Sequence, residues 1–486
     1  MPRLEGGDAG IPRSQQVYLA VRTLVLSGRL APGARLPSSR ALAADFGVAR
    51  NTVLAALERL GAEELVTSAR GSGCYVAASS GGLLAGPARE APRGGGRPEA
   101  ASARGRSAPV VSRAEGRPRP LAFAVGLPAL DEFPIDLWAR LTRRRWRGAG
   151  RSLLGYGSNS GYRPLREAIA AHLRTTRAVR CGWEQVLITP GVRPALALAS
   201  RVLMDVGDAV WVENPGYEAA ARVFRSEGLR VVPVAVDAHG LDVARARKQA
   251  PGARAAYVTP SHQFPLGVTM SLSRRLDLLS WAGAGRRWVL EDDYDSEFRY
   301  VGPPVSSLQG LDVNDRVIYI GTFSKVLVPA IRLAYLVVPE PLVDAFGRWQ
   351  ALGDRHAPTV DQAVLADFFT EGHLARHLRR MRRLYSGRRD ALVAALRGTL
   401  AGLMEVSEPE AGLHLVGWLP PGYDDRAAAR AAARLGLDAK AIADYSLRPS
   451  PRPGLVLGYG AVDERLIREG VQRLSRAISG ASGADA

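Results

Sequence analysis

Residues 79–120, SSGGLLAGPAREAPRGGGRPEAASARGRSAPVVSRAEGRPRP, constrain this 486-residue chain more than any other stretch. They hold 8 Gly and 6 Pro in 42 positions, with no aromatic residue. So little large apolar surface cannot offset the entropy of ordering, so the segment reads as a flexible linker. At that length its ends lie roughly 35 Å apart, enough to separate two folded units. The chain therefore divides into a module at 1–78 and a larger one at 121–486. No run of about 18 apolar residues exists, so a helical membrane span is excluded. The start, MPRLEGGDAGIPRSQQ, has no signal-peptide core, and Cys74 and Cys181 cannot make a disulfide framework. A cytoplasmic location is expected.

The net charge of +18 suggests a polyanionic partner. In the first module, residues 14–26 place Val17, Val21 and Leu24 at helical spacing. Ala31–Pro32–Gly33 is a turn. Ser38 or Ser39 can cap a second helix that stops at Gly47. A third helix starts near Arg50 and ends before Gly61, burying Val53, Leu57 and Leu60. Arg50, Asn51 and Thr52 occupy its exposed first turn. Such a polar tip suits a helix-turn-helix entering the major groove, although the spacing alone equally suits a three-helix protein-binding module. Leu65–Thr67 and Cys74–Val76 are strand candidates around Ala69–Gly73, a Gly-rich hairpin able to touch phosphate or minor groove.

GRLAPGARLPSSRALAADFGVARNTVLAALERLGAEELVTSARGSGCYV resembles the GntR-type winged helix over nearly the whole module. The resemblance implies double-stranded operator DNA as partner. Arg40 and Arg50 would make the main contacts, helped by Asn51, Thr52, Arg70 and Gly71. Asp45, Glu63 and Glu64 are expected to be ordinary surface charges.

The larger module alternates apolar runs with helix-length segments. The runs are Val186–Thr189, Val210–Glu213, Val231–Val234, Ala255–Thr259, Trp288–Glu291, Val317–Ile320 and Leu333–Val338. Runs apolar on both faces indicate a largely parallel sheet covered by helices, an α/β large domain at about 150–345. From about Gln350 helical periodicity dominates, with strands expected at Gly412–Trp418 and Leu455–Tyr459. That indicates a small α+β domain, about 346–486 plus 121–149.

Of 65 Lys and Arg residues only Lys248, Lys325 and Lys440 are lysines. Lys248 and Lys440 lie in polar helical contexts. Lys325 follows a buried strand, with hydroxyls at Thr322 and Ser324, where open α/β folds bind ligands. A desolvated amine there can condense with an aldehyde cofactor. Arg332 can clamp a phosphate bidentately. Trp288–Glu291 runs into Asp292–Asp293–Tyr294, where a carboxylate can pair with a pyridinium and a phenol can reach a ring oxygen. Together these are the groups pyridoxal 5′-phosphate (PLP) requires.

YGSNSGYRPLREAIAAHL, ITPGVRPALALA, VENPGYEAA, YVTPSHQFPLGVTMSLSRRLDLLSWA, LEDDYDSEFRY and GTFSKVLVPAIRLAYLVVP resemble fold-type I aminotransferases. Following a GntR winged helix, they resemble the MocR subfamily of bacterial regulators, and SHQFPLG with EDDYDSEF is specific to it. The resemblance implies that Lys325 holds the cofactor covalently, Asp292 binds its pyridine nitrogen and Tyr294 its phenolic oxygen. Arg332, Thr322 and Ser324 would hold phosphate with the backbone amides of Gly191, Val192 and Arg193 at a helix N-terminus. Tyr217 would flank the ring. Tyr156 would reach the phosphate of the neighbouring subunit in a head-to-tail, domain-swapped homodimer.

The chain also departs from the aminotransferase pattern. Phe264–Pro265–Leu266–Gly267 stands where Asn-Pro-x-Gly is usual, so the Asn on the ring oxygen is missing; His262 or Gln263 would substitute. Arg193–Pro194 stands where many relatives carry two Gln. The last small-domain strand, Gly454–Tyr459, has no Arg for a substrate α-carboxylate, with Arg448 and Arg452 just upstream. Without a fixed clamp, weak or no turnover is expected. His373 and His377 lie one turn apart on a helix that also carries seven Arg between 376 and 389; a structural helix and a solvated face are expected there, not a metal site.

The reading is a PLP-dependent DNA-binding transcriptional regulator whose aminotransferase-like domain senses PLP, an amine or an amino acid. The alternatives are a working aminotransferase with a DNA-binding appendage, and a DNA-binding module with a dimerisation scaffold.

Overall fold

The computed structural model describes residues 11–69, 73–78, 102, 105, 120–302, 305–450 and 452–482. Most of 79–120, with Arg70 and Gly71 of the expected wing, lies outside the described residues. The chain divides into two compact units, residues 1–107 and 108–486. No helix among the described residues is long and apolar enough to cross a membrane.

In the first unit, helices α1 (Arg13–Leu26), α2 (Ser39–Phe46) and α3 (Arg50–Ala62) pack with the antiparallel hairpin β1 (Val66–Ala69) and β2 (Gly73–Val76). Ser38 is the cap of α2: its hydroxyl accepts the Ala41 amide at 3.2 Å. Gly47 ends that helix at φ 64. Val17, Val21, Leu42, Phe46, Val53 and Leu60 form the core. Two expectations need correction. The third helix passes Gly61, and Ala56 takes a buried position while Leu57 is only half-buried. Glu63 is also more than a surface charge. It accepts the Tyr18 hydroxyl and, at 3.0 Å, Arg22 Nε, tying α1 to the end of α3. These donors, Tyr18 first, hold its carboxyl below the ordinary value.

The second unit is built on an eight-stranded sheet. Its strands are β3 (Val186–Thr189), β4 (Ala209–Asn214), β5 (Arg230–Asp237), β6 (Gly240–Leu241), β7 (Ala255–Val258), β8 (Trp288–Asp293), β9 (Val317–Thr322) and β10 (Ala334–Val337). Their order is β3-β10-β9-β8-β7-β4-β5-β6. The run from β9 through β8, β7 and β4 to β5 is parallel; β10 and β6 pair antiparallel to their neighbours. Every residue of β3, β7, β8, β9 and β10 is buried, as expected of strands with helices on both faces.

A second, antiparallel sheet follows. It comprises β11 (Glu405–Val406), β12 (His414–Trp418), β13 (Lys440–Ala441) and β14 (Gly454–Gly458), ordered β11-β12-β14-β13. Phe123 pairs with Gly458, so the segment after residue 120 joins this sheet. The helix His373–Thr399 packs against the helix Glu464–Ser482. Its histidines diverge: buried His377 bonds the Val326 carbonyl at 3.0 Å through Nε2, and His373 meets Glu371. Its arginines are not all on a solvated face. Arg388 and Arg389 are buried, the former donating to the Gly460 carbonyl and the latter lying over the Tyr300 ring.

Candidate functional site

Three consecutive carboxylates end β8, and strand alternation sends them to opposite faces. Glu291 accepts the Leu308 and Gln309 amides at 2.8 and 2.9 Å. Asp293 accepts Arg177 Nε at 2.7 Å and the Tyr319 hydroxyl at 2.6 Å. Asp292 borders a cavity of about 800 Å³. Its Oδ2 accepts the Tyr257 hydroxyl at 2.6 Å, while its buried Oδ1 has no partner. Burial pushes the Asp292 carboxyl up to about 7. An acceptor left open in a buried place calls for a donor, and a cationic one would favour the ionised acid.

Lys325 borders the same cavity, on the loop leaving β9. Its amine donates to the carbonyl of Gly126. Burial pushes the amine down, opposed by Asp295 and Asp292. A lysine so lowered carries more of the free amine at neutral pH, the form that attacks a carbonyl.

An anion cradle is also present. The helix Val192–Leu203 starts after Gly191, at φ 129, and its first amides have no intrahelical acceptor. A Cβ on Gly191 would lie 2.9 Å from the Arg332 guanidinium, so glycine lets that cation reach the helix start. Arg332 itself holds φ 53, a left-handed conformation worth about 1–3 kcal/mol of strain in a non-glycine residue. Thr322 Oγ1 donates to Ser324 Oγ at 3.2 Å and accepts the Ser324 amide at 3.2 Å.

Lys325, Asp292, Tyr294, Tyr217, Arg332, Thr322, Ser324, Val192 and Arg193 thus border one cavity. Gly191, His262, Gln263 and Tyr156 do not. His262 is buried behind Tyr294, whose hydroxyl lies 3.0 Å from its Nδ1. Tyr156 is 83% exposed, with the Arg355 guanidinium 4.2 Å over its ring. Gln263, the other substitute for the missing Asn, is committed elsewhere: its Nε2 donates to Glu213 and to the Pro215 and Phe264 carbonyls. Phe264 instead sits edge-on to Tyr217, Tyr294, His414 and Tyr445. In β14, Leu455, Val456 and Leu457 are buried. Arg448 and Arg452 border a separate cavity of about 870 Å³ between β5 and β12.

Sequence reasoning missed Gly126, Tyr257, Asp295, His414 and Tyr445. Asp295 was inside a quoted motif, but it follows the end of β8, where strand parity no longer says which way a side chain points. Gly126 and Tyr445 come from distant segments with no local signal.

In the first unit, Arg40, Arg50 and Asn51 are exposed at the start of α2 and α3, and Thr52 is half-buried. Arg50 Nε donates to Ser39 Oγ at 3.1 Å, joining the two helix starts. Arg35, unmarked by the motif reading, is exposed beside Gly73, the first residue of β2, which pairs with Ala69.

Residues 13–76 match the bacterial regulatory proteins of the gntR family, and residues 119–440 match aminotransferase class I and II. The chain is 38% identical over 473 residues to the probable rhizopine catabolism regulatory protein MocR of Rhizobium meliloti, covering 97% of this chain and 94% of that one. It is 33% identical over 465 residues to the pyridoxine biosynthesis transcriptional regulator PdxR of Corynebacterium glutamicum, covering 96% and 95%. Among solved structures, the multiple substrate aminotransferase of Thermococcus profundus superposes with TM-score 0.71 at 28% identity, over 78% of this chain and 98% of that one. The kynurenine aminotransferase of Pyrococcus horikoshii, solved with PMP, gives 0.69 at 29%, over 74% and 91%. PLP is the cofactor of this fold, and the lysine, the open Asp292 acceptor and the anion cradle fit it. A gntR-type helix-turn-helix joined to an aminotransferase unit, and likeness to regulators along nearly their whole length, place the chain in the MocR-type family of transcriptional regulators.

Proposed function

We propose that this regulator is a cytoplasmic homodimer that binds operator DNA through its winged helices and reads the state of its PLP site. When bound, the cofactor supplies an aldehyde that condenses reversibly with amines. Lys325 holds it, Asp292 keeps its ring nitrogen protonated and Tyr294 donates to its ring oxygen. Arg332, Thr322, Ser324 and the amides of Val192 and Arg193 bind its phosphate, with Tyr217 against the ring. Tyr156 reaches the phosphate bound by the partner in a head-to-tail dimer. Arg40, Arg50, Asn51 and Thr52 contact DNA, with Arg70 and Gly71 on the wing. The observation that carries the reading is the unpartnered, buried Oδ1 of Asp292 in the cavity that Lys325 also borders.

The effector is PLP itself, an amine or an amino acid, and turnover is weak. Among the described residues, the arginines bordering the cavity are Arg193, Arg222 and Arg332. Arg222 is paired with Glu218 at 2.6 Å, and Arg332 serves the phosphate end. Arg193 lies in the first turn of the helix at that same phosphate end, so a substrate carboxylate is poorly fixed, and orientation is what efficient transamination needs. A ligand changes operator affinity only so far as it binds two arrangements of the dimer unequally. The test is operator binding with PLP and candidate amines titrated in, alongside Lys325→Ala. The wild type should be yellow and its DNA affinity effector-dependent, both lost in the variant. A colourless wild type after reconstitution overturns the cofactor site; rapid multiple turnover of amino acids to keto acids favours the enzyme reading.

A further inference from the structure

We propose that Asp295 and His262 are positioning residues that aim the Tyr294 hydroxyl hydrogen into the cofactor cavity. The inference rests on the reading of that cavity as a PLP site. His262 Nδ1 faces three oxygens: Asp295 Oδ2 at 3.1 Å, Asp295 Oδ1 at 3.3 Å and the Tyr294 hydroxyl at 3.0 Å. His262 Nε2 is buried and has no partner.

One tautomer satisfies this arrangement. With the hydrogen on Nε2, a buried N–H would find no acceptor and the Nδ1 lone pair would face a carboxylate. With the hydrogen on Nδ1, the ring donates to Asp295 and toward the phenol oxygen. That oxygen is then an acceptor on its His262 side, so its own hydrogen must point elsewhere. Tyr294 borders the cavity, and the cavity is where the hydrogen can go. The phenol is thereby fixed as a donor to whatever oxygen the cavity holds, which for PLP is the ring oxygen.

The packing keeps the imidazole in place. A Cβ on Gly412, at φ 87, would lie 2.0 Å from His262 Cε1, and one on Gly267 would lie 3.3 Å from Nε2. Glycine at both positions lets the ring fit. His414 is the neighbouring ring, 5.0 Å away; its Nε2 donates to the Pro265 carbonyl at 3.0 Å, and burial pushes it down to about 3. It therefore stays neutral and does not compete for Asp295. The other ionisable groups acting on Tyr294 and Asp295 are Asp292 and Lys325 in the cavity wall, together with Asp293, Glu213 and Tyr459.

The experiment is a pH titration of the visible absorbance of full-length protein loaded with PLP. A hydroxyl donating to the ring oxygen draws charge from it, and so loosens the proton that the lysine–cofactor linkage carries. Losing that donation raises the midpoint. His262→Leu should raise it by about one pH unit, a tenfold change in the proton equilibrium. His262→Asn, which restores an N–H near the Nδ1 position, should return it toward wild type; His262→Gln, whose amide reaches the Nε2 position, should not. In a Tyr294→Phe background His262→Leu should add nothing. An unchanged midpoint in His262→Leu, or full additivity with Tyr294→Phe, overturns the relay. If His262→Leu fails to fold or load, the Asn–Gln pair decides: equal midpoints for those two overturn it. A wild type that never turns yellow refutes the cofactor site itself, a separate outcome.

Discussion

Asp292 sets two demands against each other, and pH separates them. Its carboxyl is pushed up to about 7 from an ordinary 3.8. Between those values the folded chain keeps a proton that the unfolded chain has lost, so this group's contribution to stability falls as pH rises from about 4 to about 7. The full shift corresponds to about 4 kcal/mol at most. Glu213 and Glu291, each pushed up to about 7 by burial, act in the same direction. Asp292→Asn removes the penalty and retains an oxygen for the Tyr257 hydroxyl. Cofactor-free Asp292→Asn should therefore resist denaturant better than wild type at pH 8 and no better at pH 4. The same variant should hold PLP at least about tenfold more weakly, since a lost cationic pairing of one pKa unit is ~1.4 kcal/mol. Parallel denaturation and PLP titrations check both; a stabilised holoprotein would contradict the pyridinium role. The sequence made Lys325 and Arg332 legible because each follows an apolar run with a charge its neighbours lack, and Asp292, between Glu291 and Asp293, legible through the motif that contains it. It did not make the relay legible. The orientation of His262 depends on Asp295, 33 residues on, and on the missing side chain of Gly412.

At the scale of elements, nine expected strands of the second unit exist, most because a strand buried on both faces must be apolar throughout, and β5 through alternate buried positions at Val232 and Val234. The two-residue strands β6, β11 and β13 carry no such pattern: they exist only by pairing with longer neighbours. Helix ends were readable where a cap is local and obscure where it is tertiary. Ser38 caps α2 with its own hydroxyl, whereas the end of α3 is tied down by Tyr18 and Arg22 from α1. Ser38→Ala should cost about 1 kcal/mol in the stability of the first unit, measured by denaturation. Arg50 is exposed at the first turn of α3, with its Nε held by Ser39. If it reads a base edge, Arg50→Ala should lose about 1–3 kcal/mol of specific operator affinity and relax discrimination at one base pair. A merely phosphate-bound Arg50 would instead weaken all sequences alike and flatten the salt dependence, so binding to operator and to scrambled DNA at two salt concentrations distinguishes the roles.

At the scale of the whole molecule, the position of Tyr156 is the informative one. It is 83% exposed and does not border the cavity of its own chain, yet its motif assigns it to a phosphate. Both facts are reconciled if each cavity is completed by the partner's Tyr156. The arrangement predicts complementation between two damaged chains. Tyr156→Ala homodimers should bind PLP weakly, and Lys325→Ala homodimers should not turn yellow. A mixed dimer of the two variants contains one cavity with Lys325 from the first chain and an intact Tyr156 from the second, and another cavity carrying both defects. Mixing or co-expressing the variants should therefore restore one tight yellow site per mixed dimer. With random exchange about half of the dimers are mixed, so about a quarter of the wild-type tight sites should reappear. If Tyr156 served its own chain, every Lys325-bearing cavity in the mixture would still lack it, and no tight sites would appear. Titrating PLP against separated and mixed variants, with dimer exchange followed by differently tagged chains, decides between the two. A return of tight sites would show that the regulator's cofactor cavity requires two chains, and would support the proposed homodimer.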